Sequence, residues 1–243
     1  MNRDWEQARI QSEKWAPEEI LRWAFALFGR NIAIASAFGA EGMALIDLAS
    51  RVQSDFRVFT LDTELLFPET YDLMDRVQKR YGITVERVYS PLTPEEQEQL
   101  HGPELWTRNP DKCCHLRKVV PLTGKLAELH AWIAAIRRDQ TASRAGVGKV
   151  EWDSKFHLVK INPIADWTSE MVWSYLRKHD VPYNPLHDQN YPSIGCTHCT
   201  RAIHPGEHAR AGRWAGVEKT ECGLHVADPE SARSLVQIAK PTE

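Results

Sequence analysis

Short apolar runs of β-type residues alternate with longer amphipathic stretches. That alternation restricts the chain to a parallel sheet covered by helices. Residues 17–28 read as a helix: Pro17 suits the first turn, Ile20, Leu21, Ala24, Phe25 and Phe28 form one face, and Gly29 ends it. NIAIASA at 31–37 is a short buried strand, and the turn Phe38-Gly39-Ala40 leads into a helix over 41–52. A second strand spans 56–61, with Asp62 and Thr63 at its end. Pro68 opens a further helix with Leu73, Met74, Val77 and Tyr81 inward and Gly82 as its cap. Residues 84–89, 131–136 and 156–161 give three more strands. The stretch 168–179 is a helix with Met171, Val172, Tyr175 and Leu176 inward, stopping before Pro182. There is no repeat and no Gly/Ser-rich linker, so a single α/β domain over 1–243 is expected. Residues 182–225, rich in Pro, His, Gly, Cys and Arg, are expected to be irregular structure around a site, and 205–243 to be a mobile C-terminal segment.

In an open parallel sheet, ligands bind beyond the C-terminal ends of the strands. Residues 36–41, 62–68 and 137–144 are therefore expected to meet. A strand–turn–helix junction offers backbone N–H groups and a positive helix end, which suit phosphate. The turn from Ser36 to Glu41 alone matches no P-loop or G-x-G-x-x-G pattern.

Five cysteines narrow the chemistry. Cys113 and Cys114 are adjacent, Cys196 and Cys199 form C-x-x-C, and Cys222 stands apart in ECGLH. The N-terminus MNRDWEQARI has no apolar core of a secretory signal, and no apolar run is long enough to span a bilayer. A cytoplasmic protein without membrane contact is expected. In that compartment patterned thiols bind metals or react. Adjacent cysteines suit the separate corners of an iron–sulfur cluster better than one zinc ion, although spacing alone leaves zinc open. Cys222 lies in a Gly-containing run near the C-terminus. A thiol on a mobile tail docking over a cationic site is suited to nucleophilic attack. The net charge of −3 argues against a nucleic-acid surface. Local basic clusters at 115–118, 137–144 and 201–213 instead suggest a small anionic ligand.

On these residues the chain resembles the assimilatory sulfonucleotide reductases, in their adenylyl-sulfate (APS) reductase branch. The resemblance runs from about residue 30 to 225. It rests on LDTELLFPETY at 61–71, KCCHLRKVVPL at 112–122, IRRDQTASR at 136–144, PYNPLHDQNYPSIGCTHCTR at 182–201 and ECGLH at 221–225. Between Cys114 and Cys196 lie 81 residues, near the family's spacing of its two pairs. The resemblance implies an adenine-nucleotide alpha-hydrolase-like (Rossmann-like) fold with helices on both faces and an irregular catalytic tail. It implies a [4Fe–4S] cluster on Cys113, Cys114, Cys196 and Cys199. It also implies reduction of APS to sulfite and AMP in sulfate assimilation and cysteine biosynthesis, with reduced thioredoxin or glutaredoxin as a separate donor.

Cys222 matches the family's nucleophile, and His225 closes the same motif with the catalytic set. Lys118 matches the lysine between cluster and substrate, and Arg144 the arginine of the Arg-loop. Arg210 and Arg213 match the arginines that follow the C-x-x-C, and Arg137 is expected at the substrate with them. Ser36, Phe38, Gly39 and Glu41 fall where the family holds phosphate, and Asp62 and Thr63 near the adenosine. Two positions depart: Ala135 replaces a usual Gly, and Ser143-Arg144 replaces Thr-Arg. Rival readings are a reductase of the 3′-phosphorylated substrate (PAPS) or of both APS and PAPS, an ATP-dependent adenylyl or thiolation enzyme with zinc, and a non-catalytic binding module. PAPS-restricted relatives generally lack the two cysteine pairs, the S-G-G-x-D-S loop of the ATP-dependent enzymes is missing, and a binding module needs no Cys222. The sequence is compatible with a monomer or a homo-oligomer.

Overall fold

The computed structural model describes residues 4–217, 219 and 221–225. Its strands are β1 (Ile32–Ala35), β2 (Val58–Asp62), β3 (Val85–Tyr89), β4 (Ala131–Ala134), β5 (Val150–Asp153) and β6 (Leu158–Ile161). They form one sheet in the order β3-β2-β1-β4-β6-β5, parallel throughout except that β5 runs antiparallel to β6. The chain moves outward from β1 through β2 to β3, then returns to the other side of β1 with β4. The switch point therefore lies between β1 and β4, where an α/β sheet opens a crevice for ligand.

Alternation along the central strands feeds two cores. Ile32 and Ile34 of β1 and Ile133 of β4 face a large core with α2 (Pro17–Phe28), α3 (Ala40–Val52), α4 (Pro68–Tyr81) and α9 (Ser169–Lys178). Ala33, Phe59 and Trp132 face a smaller core with Leu122 and Leu126 of α8 (Val120–Leu126). The small side chains of Ala35 and Ala134 leave room above the strand ends, and both line the main cavity.

The expected elements over 17–28, 41–52 and 68–81 form with boundaries shifted by a residue at most, and Gly82 takes the left-handed cap at φ 64°. Met171, expected inward, is 46% exposed. It sits in the first turn of α9, where its N–H bonds the Thr168 hydroxyl at 3.2 Å; Val172 and Leu176 carry the buried face. Residues 182–225 are largely irregular as expected, with short 3-10 turns at Pro185–Gln189 and Thr197–Cys199. The described part of the 205–243 segment folds back over the sheet. Its remainder, with residues 1–3, lies outside the described residues. No described helix is long and apolar enough to cross a membrane.

One buried carboxylate ties three helices together. Asp47 of α3, 3% exposed, accepts hydrogen bonds from Tyr175 (2.7 Å), Tyr81 (3.0 Å) and Arg51 (2.7 Å). Burial works to raise its pKa, but these three donors outweigh it and hold it below the usual carboxylate value. A depressed folded-state pKa contributes stability that is full above the ordinary aspartate value and is lost as pH falls through the folded value. Asp47→Asn should lower the unfolding free energy by about 2 kcal/mol at neutral pH. The deficit should shrink below about pH 4. Urea titrations at both pH values check this.

Candidate active site

Cys113 and Cys114 end the short helix α7 (Pro110–Cys114). One wide π turn, His115–Val119, follows and leads into α8. Pro121 explains the widening, because it brings no N–H to the regular ladder. The Val120 N–H reaches back to the His115 carbonyl, and the Leu116 carbonyl is taken by the Ser90 hydroxyl at 3.2 Å. The same turn carries Lys118 toward the strand ends, where it lines the main cavity.

Cys113, Cys114, Cys196 and Cys199 border one small cavity with Lys118, Arg117, Trp106 and His198. The first three are buried, and Cys199 is half-buried. The outer side is covered by Trp106 stacked on His198, with ring centroids 4.1 Å apart. Polar groups approach the sulfurs from within. The Thr63 hydroxyl lies 3.3 Å from Cys196 Sγ, and Gln97 Nε2 lies 3.9 Å from Cys113 Sγ. Behind them Arg117, 1% exposed, donates to the carbonyls of Thr63 (2.8 Å) and Leu92 (3.2 Å) and pairs with Glu64 at 2.8 Å. Four thiolate-forming groups supported by hydrogen-bond donors suit a soft, thiophilic centre. Among the described residues no three His, Cys, Asp or Glu side chains converge on a single ion position. The thiols stand around a space instead.

Electrostatics link this group to the fifth cysteine. Burial opposes the Lys118 charge, but the sulfurs of Cys196, Cys222 and Cys114 outweigh it and raise its pKa, so the ammonium persists. Burial likewise pushes up the thiols of Cys113 and Cys114, and lifts Cys199 to about 11, with Cys196 adding to the effect. Cys196 differs: burial raises it, yet Lys118, the Thr63 hydroxyl and Arg213 more than compensate, and it falls below the ordinary thiol value. Lys118 thus serves the cysteine quartet on one side and Cys222 on the other.

The main cavity, about 390 Å³, lies at the β1/β4 switch point. The three expected segments meet there. Ser36, Gly39 and Glu41 line it from the start of α3, Thr63 and Leu66 from beyond β2, and Arg137, Gln140 and Arg144 from beyond β4. Arg210, Arg213, Cys222 and His225 close it from the C-terminal segment. Phe38 and Asp62 do not line it. Phe38 is tucked beneath the turn at φ 57° and 1% exposure. Asp62 turns away to accept from the Tyr71 hydroxyl (2.8 Å) and the Glu64 N–H (2.9 Å). Thr63 faces both the cavity and Cys196.

Charge at the mouth is organised in pairs. Glu41 accepts from Arg137 at 3.1 Å and Gln140 at 3.1 Å, fixing both. Arg213 stacks 4.6 Å from the Trp214 ring and bonds Ser193 at 3.2 Å, leaving its buried Nε without a partner. Burial pushes the Arg210 pKa down, with Glu221 the main counterweight.

The tail is docked by four kinds of contact. Glu221 pairs with Arg144 at 2.7 Å, the Gly223 carbonyl accepts from Lys155 at 2.6 Å, Leu224 joins the smaller core, and His225 stacks 5.6 Å from Trp132. Burial, with Lys160, Arg144, Arg210 and Lys155 nearby, holds the His225 imidazole neutral, well below its ordinary pKa. His225 Nδ1 and Trp132 Nε1 are buried without partners, and both residues line the cavity. Glu221, Gln140, Thr141, Trp132 and Lys155 were not singled out from the sequence. For Glu221 a signal existed: one acid beside a thiol in a region of arginines.

Comparison with known proteins matches residues 31–202 to the phosphoadenosine phosphosulfate reductase domain. The chain belongs to this family. Within it, the chain is 46% identical over 223 residues to the adenosine 5'-phosphosulfate reductase of Shouchella clausii, covering 91% of this chain and 92% of that protein. It is 48% identical over 208 residues to adenosine 5'-phosphosulfate reductase 2 of Bacillus subtilis, covering 85% and 88%. Among solved structures, the phosphoadenylyl-sulfate reductase of Candida auris, in a phosphate complex, superposes with a TM-score of 0.71 at 30% identity. That match covers 82% of this chain and 97% of the other. The phosphosulfate reductase domain thus extends across the sheet, the cysteine quartet and the strand ends; the docked tail lies beyond residue 202.

Gly195 tests the basic wall of this cavity. A Cβ there would stand 2.3 Å from Arg213 Nη2 and 2.7 Å from its Cζ. Gly195→Ala should expel the guanidinium from its seat on Trp214. AMP affinity measured by calorimetry should then fall about tenfold, or about 1.4 kcal/mol, with the melting temperature preserved.

Proposed function

We propose that the chain reduces adenosine 5'-phosphosulfate to sulfite and AMP, with Cys222 as nucleophile and a thioredoxin-type dithiol as reductant. One observation carries the reading: Cys222 lines the switch-point cavity together with Lys118, Arg210 and Arg213. A nucleophilic sulfur thus faces a nucleotide-sized space with cationic walls. Activity agrees with the names of the bacterial relatives.

In this mechanism the free N–H groups at the start of α3, with Ser36 and Gly39, receive the nucleotide phosphate. Arg137 is held in place by Glu41 beside them. The Cys222 thiolate attacks the sulfur of the phosphosulfate. The bond from that sulfur to the bridging oxygen breaks, AMP leaves, and Cys222 becomes an S-sulfocysteine. Lys118 and the arginines offset the repulsion between thiolate and anionic sulfuryl group, a charge stabilisation made in a half-buried site. His225, neutral, can hold or pass a hydrogen bond without adding charge. A thiolate of the external dithiol then attacks Cys222 Sγ and releases sulfite. Its second thiol resolves the mixed disulfide, restoring Cys222. The two electrons that take sulfur from S(VI) to S(IV) come from that dithiol.

The donor set fits a [4Fe–4S] cluster held by Cys113, Cys114, Cys196 and Cys199, the centre also implied by the sequence pattern. Bound by these four cysteines, such a cluster would supply a fixed, polarisable centre. The protein's own part is to keep Thr63 and Gln97 at the sulfurs and Trp106 over the outer side. The C-terminal segment that carries Cys222 is proposed to open for the external dithiol, since Cys222 faces inward when docked. The protein is proposed to act in the cytoplasm.

Sulfite release with reduced thioredoxin should show a higher kcat/KM for adenosine 5'-phosphosulfate than for its 3'-phosphorylated form; the reverse preference overturns the substrate assignment. Lys118→Ala should lower turnover about a hundredfold. Its melting temperature should stay near that of the parent. Normal kinetics in a stable variant would refute its role. Cys196→Ser should lose iron on purification, whereas Cys222→Ser should keep it.

A further inference from the structure

The C-terminal run does more than present a thiol. Glu221, next to Cys222, is buried in the cavity wall, its side chain 9% exposed. Its two oxygens accept from one edge of the Arg144 guanidinium: Nε donates to Oε1 at 3.0 Å and Nη2 to Oε2 at 2.7 Å. The Thr141 hydroxyl donates to Oε1 at 3.2 Å, and Arg210 Nη2 lies 3.5 Å from Oε2. The third nitrogen of Arg144, Nη1, is taken by Gln140 at 2.6 Å. Every nitrogen of this guanidinium is therefore engaged by protein while the tail is docked. A negative charge beside an anion-binding cavity is costly unless it has another task. A fork-to-fork pair of this geometry is directional and charge-assisted, so it fixes position as well as adding attraction.

We infer that Glu221 is a positioning residue: it latches the Cys222 segment onto the Arg144 loop, and Arg144 receives that latch. The inference rests on Cys222 being the nucleophile and adds the device that sets it in place. The cavity of about 390 Å³ remains with the latch engaged, so the docked tail still leaves room for a nucleotide. The neighbouring contacts of Gly223, Leu224 and His225 hold the segment downstream of Cys222, and Glu221 holds it upstream. Loss of Glu221 leaves the buried Arg144 without an acid, and loss of Arg144 leaves Glu221 only the longer contact to Arg210 at 3.5 Å. Because the segment packs at the surface of the domain, undocking relieves that cost and the core stays folded.

The test uses the iron-loaded protein under anaerobic conditions, with iodoacetamide as probe and mass spectrometry reading alkylation at Cys222. Glu221→Ala and Arg144→Ala should each speed alkylation about tenfold as the open fraction rises from about a tenth to about nine tenths, an opening shift of about ninetyfold or about 2.7 kcal/mol. The double variant should react no faster than either single one, because both lose the same interaction. In turnover, Glu221→Ala should lower kcat about tenfold with KM within about twofold, since only the docked fraction reacts. Unchanged alkylation in the single variants, or additive effects in the double, overturns the latch. So does AMP binding that tightens in Glu221→Ala, which would make the carboxylate a stand-in for the ligand anion. The alkylation readout needs no sulfonucleotide, so it separates failure of the latch from failure of the assigned reaction.

Discussion

A single ammonium group organises the chemical end of this protein. Lys118 stands among sulfurs that belong to different parts of the chain: Cys114 next to its own turn, Cys196 in the C-x-x-C loop, and Cys222 on the tail. Burial would discharge an isolated lysine, and these sulfurs keep it charged. The lysine in turn favours thiolate at Cys196. Its placement depends on a local fault in a helix: Pro121 removes a donor, the preceding turn widens, and Lys118 reaches the strand ends. A regular helix through the same residues would turn the side chain elsewhere.

The sheet supplies the other half of the site. Small residues at the ends of β1 and β4 leave a cavity where the strand order reverses, and the start of α3 points into it. The arginines around this cavity are each held by an acid, an amide or an aromatic ring. Pre-set cations of this kind reorganise little when an anion arrives, which is the source of their catalytic value. The tail then completes the enclosure, with one residue in the smaller core and one ring on Trp132.

Much of this was legible in the residues. The strands of the sheet centre announced themselves as apolar runs, and Pro17, Pro68 and Gly82 marked helix ends by their backbone preferences. β5 did not, because VEWD is an edge strand of mixed polarity whose pairing to β6 arises from the tertiary fold. The helices around Cys113 and Cys114 are short and polar, so no periodicity marked them. The cysteine division into four and one was visible from spacing, and the structure gives the quartet one shared cavity. Phe38 and Asp62 were expected at the ligand because they flank strand ends; their side chains instead support the loops that reach it. Glu221 was missed because an acid runs against the expected charge of the site, and only the pairing with Arg144 gives it a reason.

The central claim is that a thiol outside the quartet carries the chemistry. Intact-protein and peptide mass spectrometry after mixing the iron-loaded protein with adenosine 5'-phosphosulfate, without any dithiol, tests it most directly. One sulfonate adduct on Cys222, formed together with AMP, is the predicted result. AMP release with no adduct, or an adduct on any other residue, would contradict it.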